Sequence, residues 1–291
     1  AALDRHHRSV IAAGLAISIG AGLVLAPAVL AAKPEGTVEV DWRTAQRDNP
    51  PLPDCRPDAT AGCTVVRGTG RHVLLVGDSN ARMFLPTFTA IAESSDLTLS
   101  VAVMPLCPWQ DEVFYLKGGD DCRAAKAFWY QQLMDELSPD LVVLGERPID
   151  DPANAVDLFT PDGQLDRSTD ALHRSLARAS VATIDRLRAE GLDVVLLEPI
   201  PIAAKAADPL LCLSSATRVD DCRYEANAEE TPLERAYRQR ADGAGVWTLD
   251  LDRLVCPRLP ACDPVVDGLV VKRDSNHLTG TFAAGLAEPG A

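Results

Sequence analysis

Basic residues are scarce in this chain. Its 28 Lys and Arg stand against 42 Asp and Glu, a formal net charge of −14 over 291 residues. Such a chain repels phosphate backbones and has no Lys/Arg run interleaved with aromatics. Nucleic-acid binding is therefore excluded, and anionic partners are disfavoured over the surface as a whole. Histidine is scarcer still, at five. There is no H-E-x-x-H, no C-x-x-C and no histidine within a few residues of a cysteine couple, so no metal is expected. No G-x-G-x-x-G or Walker loop follows a strand pattern, and no internal repeat is present. Nothing therefore calls for a nucleotide, and no cofactor is expected.

Residues 9–32 carry no ionisable side chain and are rich in Ala, Leu, Ile and Val. A helix of that length spans roughly 30 Å or more, enough for the hydrocarbon of a bilayer. One membrane-spanning helix is expected there. Arg5, His6, His7 and Arg8 precede it and only Lys33 follows closely, which puts residues 1–8 in the cytoplasm and the rest outside. The alternative is a cleaved signal peptide, because Ala26-Pro27-Ala28 resembles a small-residue cleavage site. The start on Ala1 rather than Met favours the anchor and suggests a longer protein whose upstream part holds further membrane helices.

The eight cysteines form four close-spaced couples, and short intervening loops favour nearest-neighbour pairing. Cys55 is expected to pair with Cys63, Cys107 with Cys122, Cys212 with Cys222, and Cys256 with Cys262. Each couple should hold its Cα atoms about 4.4–6.8 Å apart. Disulfides agree with an extracytoplasmic domain.

Residues 33–70 are Pro-rich and turn-rich and read as a spacer. From residue 71 to the end, short apolar runs alternate with amphipathic segments. Strands are expected at 72–77, 97–103, 141–145, 193–198 and 246–251, and helices at about 80–94, 123–137, 168–190, 231–242 and 278–286. Runs such as VLLV, LVVL and VVLL suit strands covered on both faces. The expected fold is an α/β, doubly wound, mainly parallel sheet flanked by helices.

In such sheets ligands bind where strands end and helices begin. The first such turn is Gly77-Asp78-Ser79-Asn80, and a serine there is exposed beside helix amides that favour negative charge. Asp78, Ser79 or Asn80 could equally serve only as a helix cap. A hydroxyl nucleophile needs a base, usually His, steadied by a carboxylate. His6 and His7 lie beyond the membrane segment, His72 opens the first strand at its amino end, and His173 sits in a charged helix. His277 remains, with Asp274 three residues before it.

Gly77-Asp78-Ser79 after the first strand, with Asp274-x-x-His277 before the last helix, resembles the first and last motif blocks of the SGNH (GDSL-like) hydrolase superfamily. More narrowly, the chain is similar to the extracytoplasmic SGNH domains fused to the membrane part of acyltransferase family 3 proteins. Cys107-Pro108 and His277-Leu278-Thr279 match features of those domains. The likeness spans roughly residues 70–288 and implies a three-layer, flavodoxin-like sandwich. It also implies an acyl-enzyme on Ser79, with His277 as base and Asp274 orienting it. The reaction would be O-acyl, chiefly acetyl, transfer from an acyl donor to a cell-surface glycan, or the matching ester hydrolysis. A non-catalytic glycan-binding module serving a multi-helix membrane acyltransferase is the reading from another class.

Two family positions are altered. Met104-Pro105-Leu106-Cys107 stands where the second block supplies a glycine amide. Gly145-Glu146-Arg147 stands where the third supplies the Asn of G-x-N to the oxyanion hole. Candidate oxyanion donors are the amides of Ser79 and of the Leu106–Cys107 turn, and the Arg147 guanidinium. Arg147 otherwise pairs with Glu146 or Asp150.

Overall fold

A computed structural model describes residues 40–116, 119–151, 153, 156–165, 170–241 and 244–287. The expected cytoplasmic end and membrane helix lie outside these residues. Among the described residues, no helix is long and apolar enough to cross a membrane.

Five parallel strands form the body of the sheet: β2 (His72–Gly77), β3 (Thr98–Val103), β4 (Leu141–Gly145), β5 (Asp193–Leu197) and β6 (Val246–Leu249). β1 (Thr64–Val66) adds an antiparallel edge, giving the order β1-β3-β2-β4-β5-β6. The inner strands are buried on both faces, as their unbroken apolar runs require; β2 is covered from Val73 to Gly77. One face carries α4 (Asp120–Ala127), α6 (Asp170–Ala189) and α7 (Pro232–Ala241), packed over Leu74, Val76, Val142 and Leu196. The other carries α2 (Ser79–Met83), α3 (Leu85–Ser94) and α8 (Gly280–Gly285), packed over Leu75, Leu99 and Val143. The doubly wound architecture expected from the alternating pattern is the one observed.

Three local expectations are corrected. The stretch read as spacer is part of the fold from residue 40 onward: α1 (Trp42–Arg47) begins it, and β1 pairs Thr64 with Ser100 and Val66 with Leu99. A three-residue β-branched strand is too short to announce itself by alternation. The single helix expected over 80–94 is two, α2 and α3. Pro86 in the first turn of α3 has no N–H for the preceding carbonyls, so the chain turns at Phe84 and starts a new helix. The helix expected at 123–137 starts earlier, at Asp120. It runs through a π segment, Phe128–Leu133, into α5 (Met134–Leu137).

All four expected disulfides form. Their Cα separations are 4.2 Å for Cys55–Cys63, 5.3 Å for Cys107–Cys122, 5.5 Å for Cys212–Cys222 and 4.9 Å for Cys256–Cys262. The first falls just under the expected range. Cys107–Cys122 bears most directly on the strand-end turns, because it ties the loop after β3 to the first turn of α4.

Candidate active site

The strand order reverses between β2 and β4, and the turns after these two strands sit side by side there. Gly77 at the end of β2 lies level with Gly145 at the end of β4 and with Val103 at the end of β3. Gly77 has φ +147°, and a Cβ on it would sit 1.8 Å from the Gly145 carbonyl oxygen. Only glycine allows this close approach, which lets the residues after the two strands share one site.

Asp78 comes next, fully buried. Its carboxylate accepts from the Asn80 amide at 2.7 Å, from the Tyr115 hydroxyl at 3.0 Å and from the Arg147 amide at 3.1 Å. One side chain thus caps α2, holds the loop after β3 and pins the loop after β4. Burial raises its pKa above the ordinary value, and the three donors oppose that rise.

Ser79 is the first residue of α2, and its Oγ lies 2.8 Å from His277 Nε2. His277 Nδ1 lies 2.8 Å from Asp274 Oδ2 and 3.0 Å from Oδ1. Asp274 also accepts from the amides of His277 and Asn276, at 2.7 and 2.8 Å. Burial alone would raise this carboxyl, but the bonds from the His277 ring and from the two amides outweigh it. They hold Asp274 well below the usual carboxylate range. An ionised Asp274 has nothing to donate, so Nδ1 carries the proton and Nε2 is left to accept from the serine hydroxyl. The structure brings Ser79 to Asp274 and His277, which lie 195 and 198 positions further along the chain at the other end of the domain.

Elimination among the histidines agrees with their placement. His72 sits at the amino end of β2, bonded to Ser100 Oγ at 2.8 Å and to the Leu137 carbonyl at 3.1 Å. His173 lies in the first turn of α6, and among the described residues it makes no hydrogen bond to Ser79 or Asp274. His6 and His7 are outside the described residues.

The oxyanion candidates separate. The Cys107 amide is committed to its own turn, donating to the Met104 carbonyl at 3.2 Å. Leu106, before it, has φ +61°, a left-handed conformation more usual for glycine. The amides of Leu106 and Ser79 make no hydrogen bond among the described residues. Arg147 follows Gly145 by two residues, its amide donates to Asp78 at 3.1 Å, and its Cζ stands 5.8 Å from the centroid of the Tyr115 ring.

Glu146 is buried in the core, where Gln110 Nε2 donates to it at 2.6 Å and the Tyr237 hydroxyl donates as well. Burial pushes its pKa up to about 8. An unfolded glutamate titrates near about 4.3, so the folded state holds the extra proton between those values and stability falls as pH rises across them. Glu146→Gln is expected to remove much of that slope, read from urea midpoints at about pH 5 and about pH 8. A variant that keeps the wild-type loss would show that Glu146 does not cause it.

Two supports of the site have no motif. Lys272 is fully buried and its Nζ donates to the Asn276 carbonyl at 3.1 Å, bracing the turn that carries Asp274 and His277. Burial pushes its pKa down to about 7, against the pull of Asp274 and Asp252. Asp48, in the segment read as spacer, accepts from the Thr281 amide at 2.8 Å through its side chain and from the Gly280 amide at 3.0 Å through its carbonyl. It thereby caps the helix that comes after His277. Asp48→Ala is expected to cost about 0.5–2 kcal/mol of stability, and Asp48→Asn less because it keeps an acceptor; calorimetric melting of both variants measures this. The only sequence signal for either residue was an unremarkable Lys or Asp.

Residues 45–289 match a family model described as the SGNH domain fused to AT3 domains. The chain belongs to the SGNH-domain family. Solved structures with a similar fold include the periplasmic domain of a lipopolysaccharide acetyltransferase from Salmonella ser. Paratyphi A. That similarity has a TM-score of 0.53 at 14% identity over 87% of this chain and 96% of that one. A putative acylhydrolase from Bacteroides fragilis gives a TM-score of 0.46 at 13% identity, covering 88% of this chain and 94% of that one. An acetyl xylan esterase gives 0.43 at 14% identity, covering 74% and 95%. No curated protein matches the sequence significantly. The matched span contains both Gly77-Asp78-Ser79 and Asp274-x-x-His277.

Proposed function

We propose that this domain transfers an acyl group, most simply acetyl, to a hydroxyl of a cell-surface or cell-wall glycan through an acyl-enzyme on Ser79. The observation that carries this reading is the continuous relay from Ser79 Oγ through His277 to Asp274, 2.8 Å at each step. Such a relay is a base held in the right tautomer against a hydroxyl.

His277 Nε2 takes the Ser79 proton as Oγ attacks the carbonyl carbon of the acyl donor. The carbonyl oxygen becomes an oxyanion, received by the amides of Ser79 and Leu106 and by the Arg147 guanidinium in place of the missing Asn. The donor's alcohol then leaves with the proton from His277, and Ser79 carries the acyl group. An acceptor hydroxyl, deprotonated by His277 in its turn, attacks that ester and frees Ser79. With water as acceptor the same site is an esterase.

Four disulfides support a place outside the cytoplasm. The family description supports a multi-helix membrane acyltransferase as the partner or fused unit that supplies the acyl group.

The test is a serine-reactive fluorophosphonate with the adduct located by peptide mass spectrometry, then acetyl transfer from 4-nitrophenyl acetate with and without glycan oligosaccharides. Labelling at Ser79 and acetylated oligosaccharide are expected. A chain that stays unlabelled under conditions where it is folded rules out the serine mechanism.

A further inference from the structure

Helix α2 shows solvent only two of its five residues, Ser79 and Arg82, because Asn80, Ala81 and Met83 are buried. Positions three apart on a helix are neighbours on one face, with Cβ atoms about 5–6 Å apart. The Arg82 side chain therefore rises from the same open strip as the Ser79 hydroxyl. Its Nε donates to the Pro50 carbonyl at 2.7 Å, which fixes the direction of the guanidinium. Its terminal nitrogens have no acceptor among the described residues, and no described carboxylate pairs with it.

The loop that carries Asp274 and His277 brings a second guanidinium. Arg273 donates its amide to the His277 carbonyl at 2.9 Å, and its Nη1 stands 3.5 Å from Asp274 Oδ2. Its side chain remains 19% exposed. Arg273 is close enough to Arg82 that its repulsion, after burial, holds Arg82 below the usual arginine range. Arginine stays charged regardless. One guanidinium thus rises from the helix that begins with Ser79 and the other from the loop that carries His277, and of the two only Arg273 meets a carboxylate among the described residues.

We infer that Arg82, with Arg273 beside it, forms an anion-binding subsite next to the Ser79 hydroxyl. The substrate is then an acidic glycan bearing a carboxylate or phosphate within about one sugar ring of the reacting hydroxyl. This rests on Ser79 being the nucleophile. The net charge of −14 disfavours anions over the surface as a whole, but screening limits each charge to a range of about 8–10 Å, so the nearby guanidiniums set the field at the site. A planar guanidinium suits both anions, binding either by two parallel hydrogen bonds.

The experiment measures how sugars protect Ser79 from an uncharged fluorophosphonate, at matched ionic strength, using methyl glucoside, glucuronate and glucose 6-phosphate. In the wild type, one of the charged sugars is expected to protect at a concentration at least about ten-fold below the neutral one, the scale of a charge-assisted hydrogen bond. Which of the two does so tells carboxylate from phosphate. The ratio is expected to fall to within about three-fold in Arg82→Gln and to recover in part in Arg82→Lys, an ordering that a merely structural Arg82–Pro50 bond does not produce. Equal protection by all three sugars, or a charged-sugar preference that survives Arg82→Gln, overturns the subsite. Absence of labelling in the wild type instead overturns the nucleophile.

Discussion

Ser79→Ala is expected to lower turnover of an activated acetyl ester by about 10⁴–10⁶-fold while leaving the fold and the four disulfides unchanged. Removing the serine hydroxyl breaks its contact with His277 but leaves Asp78 still bonded to the Asn80, Tyr115 and Arg147 groups that organise the turn. The loss should therefore fall on kcat and not on stability. His277→Ala should be nearly as severe, and the double variant no worse than either single one, because the two act as a unit. Residual activity within about ten-fold of wild type in Ser79→Ala would mean that the hydrolysis observed does not pass through this serine. The comparison needs only steady-state rates and a thermal melt of each variant.

Arg147→Ala is expected to lower turnover by about 100–1000-fold, the usual cost of one oxyanion donor. Arg147 lies two residues beyond Gly145, in the loop that the resemblance to the superfamily would have supply an Asn donor. Its own amide already serves Asp78, so the side chain can be removed without undoing that bond. Arg147→Asn separates the donor from the charge: it keeps a side-chain donor without the positive charge and should recover a large part of the lost rate. Activity of Arg147→Ala within a few-fold of wild type would leave the amides of Ser79 and Leu106 as the whole oxyanion hole. These two amides stand just beyond the ends of neighbouring strands, which makes that outcome chemically coherent, so the measurement decides between a three-donor and a two-donor site.

Much of the fold and the site was legible in the sequence for identifiable reasons. Parallel strands buried on both faces must be apolar at every position, so β2, β4 and β5 stand out as runs whatever surrounds them. The cysteine couples are near neighbours, and short loops leave little choice of partner. Ser79 and His277 could be singled out as candidates because nucleophilic chemistry demands particular residue types and the chain has few histidines to offer, and the two side chains lie 2.8 Å apart. What escaped were features whose meaning depends on distant residues. β1 is three residues long, and only Ser100 and Leu99 on β3 make it a strand. Pro86 divided a helix that periodicity ran together.

By itself the sequence determined the layer architecture, the disulfide pairing and the residue types able to carry acyl chemistry, because each comes from local composition or from a scarce side chain. Tertiary structure alone decided which groups meet. It set Glu146 in the core against Gln110 and Tyr237. It engaged the Cys107 amide in its own turn and left that of Leu106 open. It also made Asp78 the joint of three loops, and it set Arg82 on the same helix face as Ser79. Hydrogen bonds and charge contacts act over a few ångströms, and which residues come within that range is set by strand order and register, not by separation along the chain.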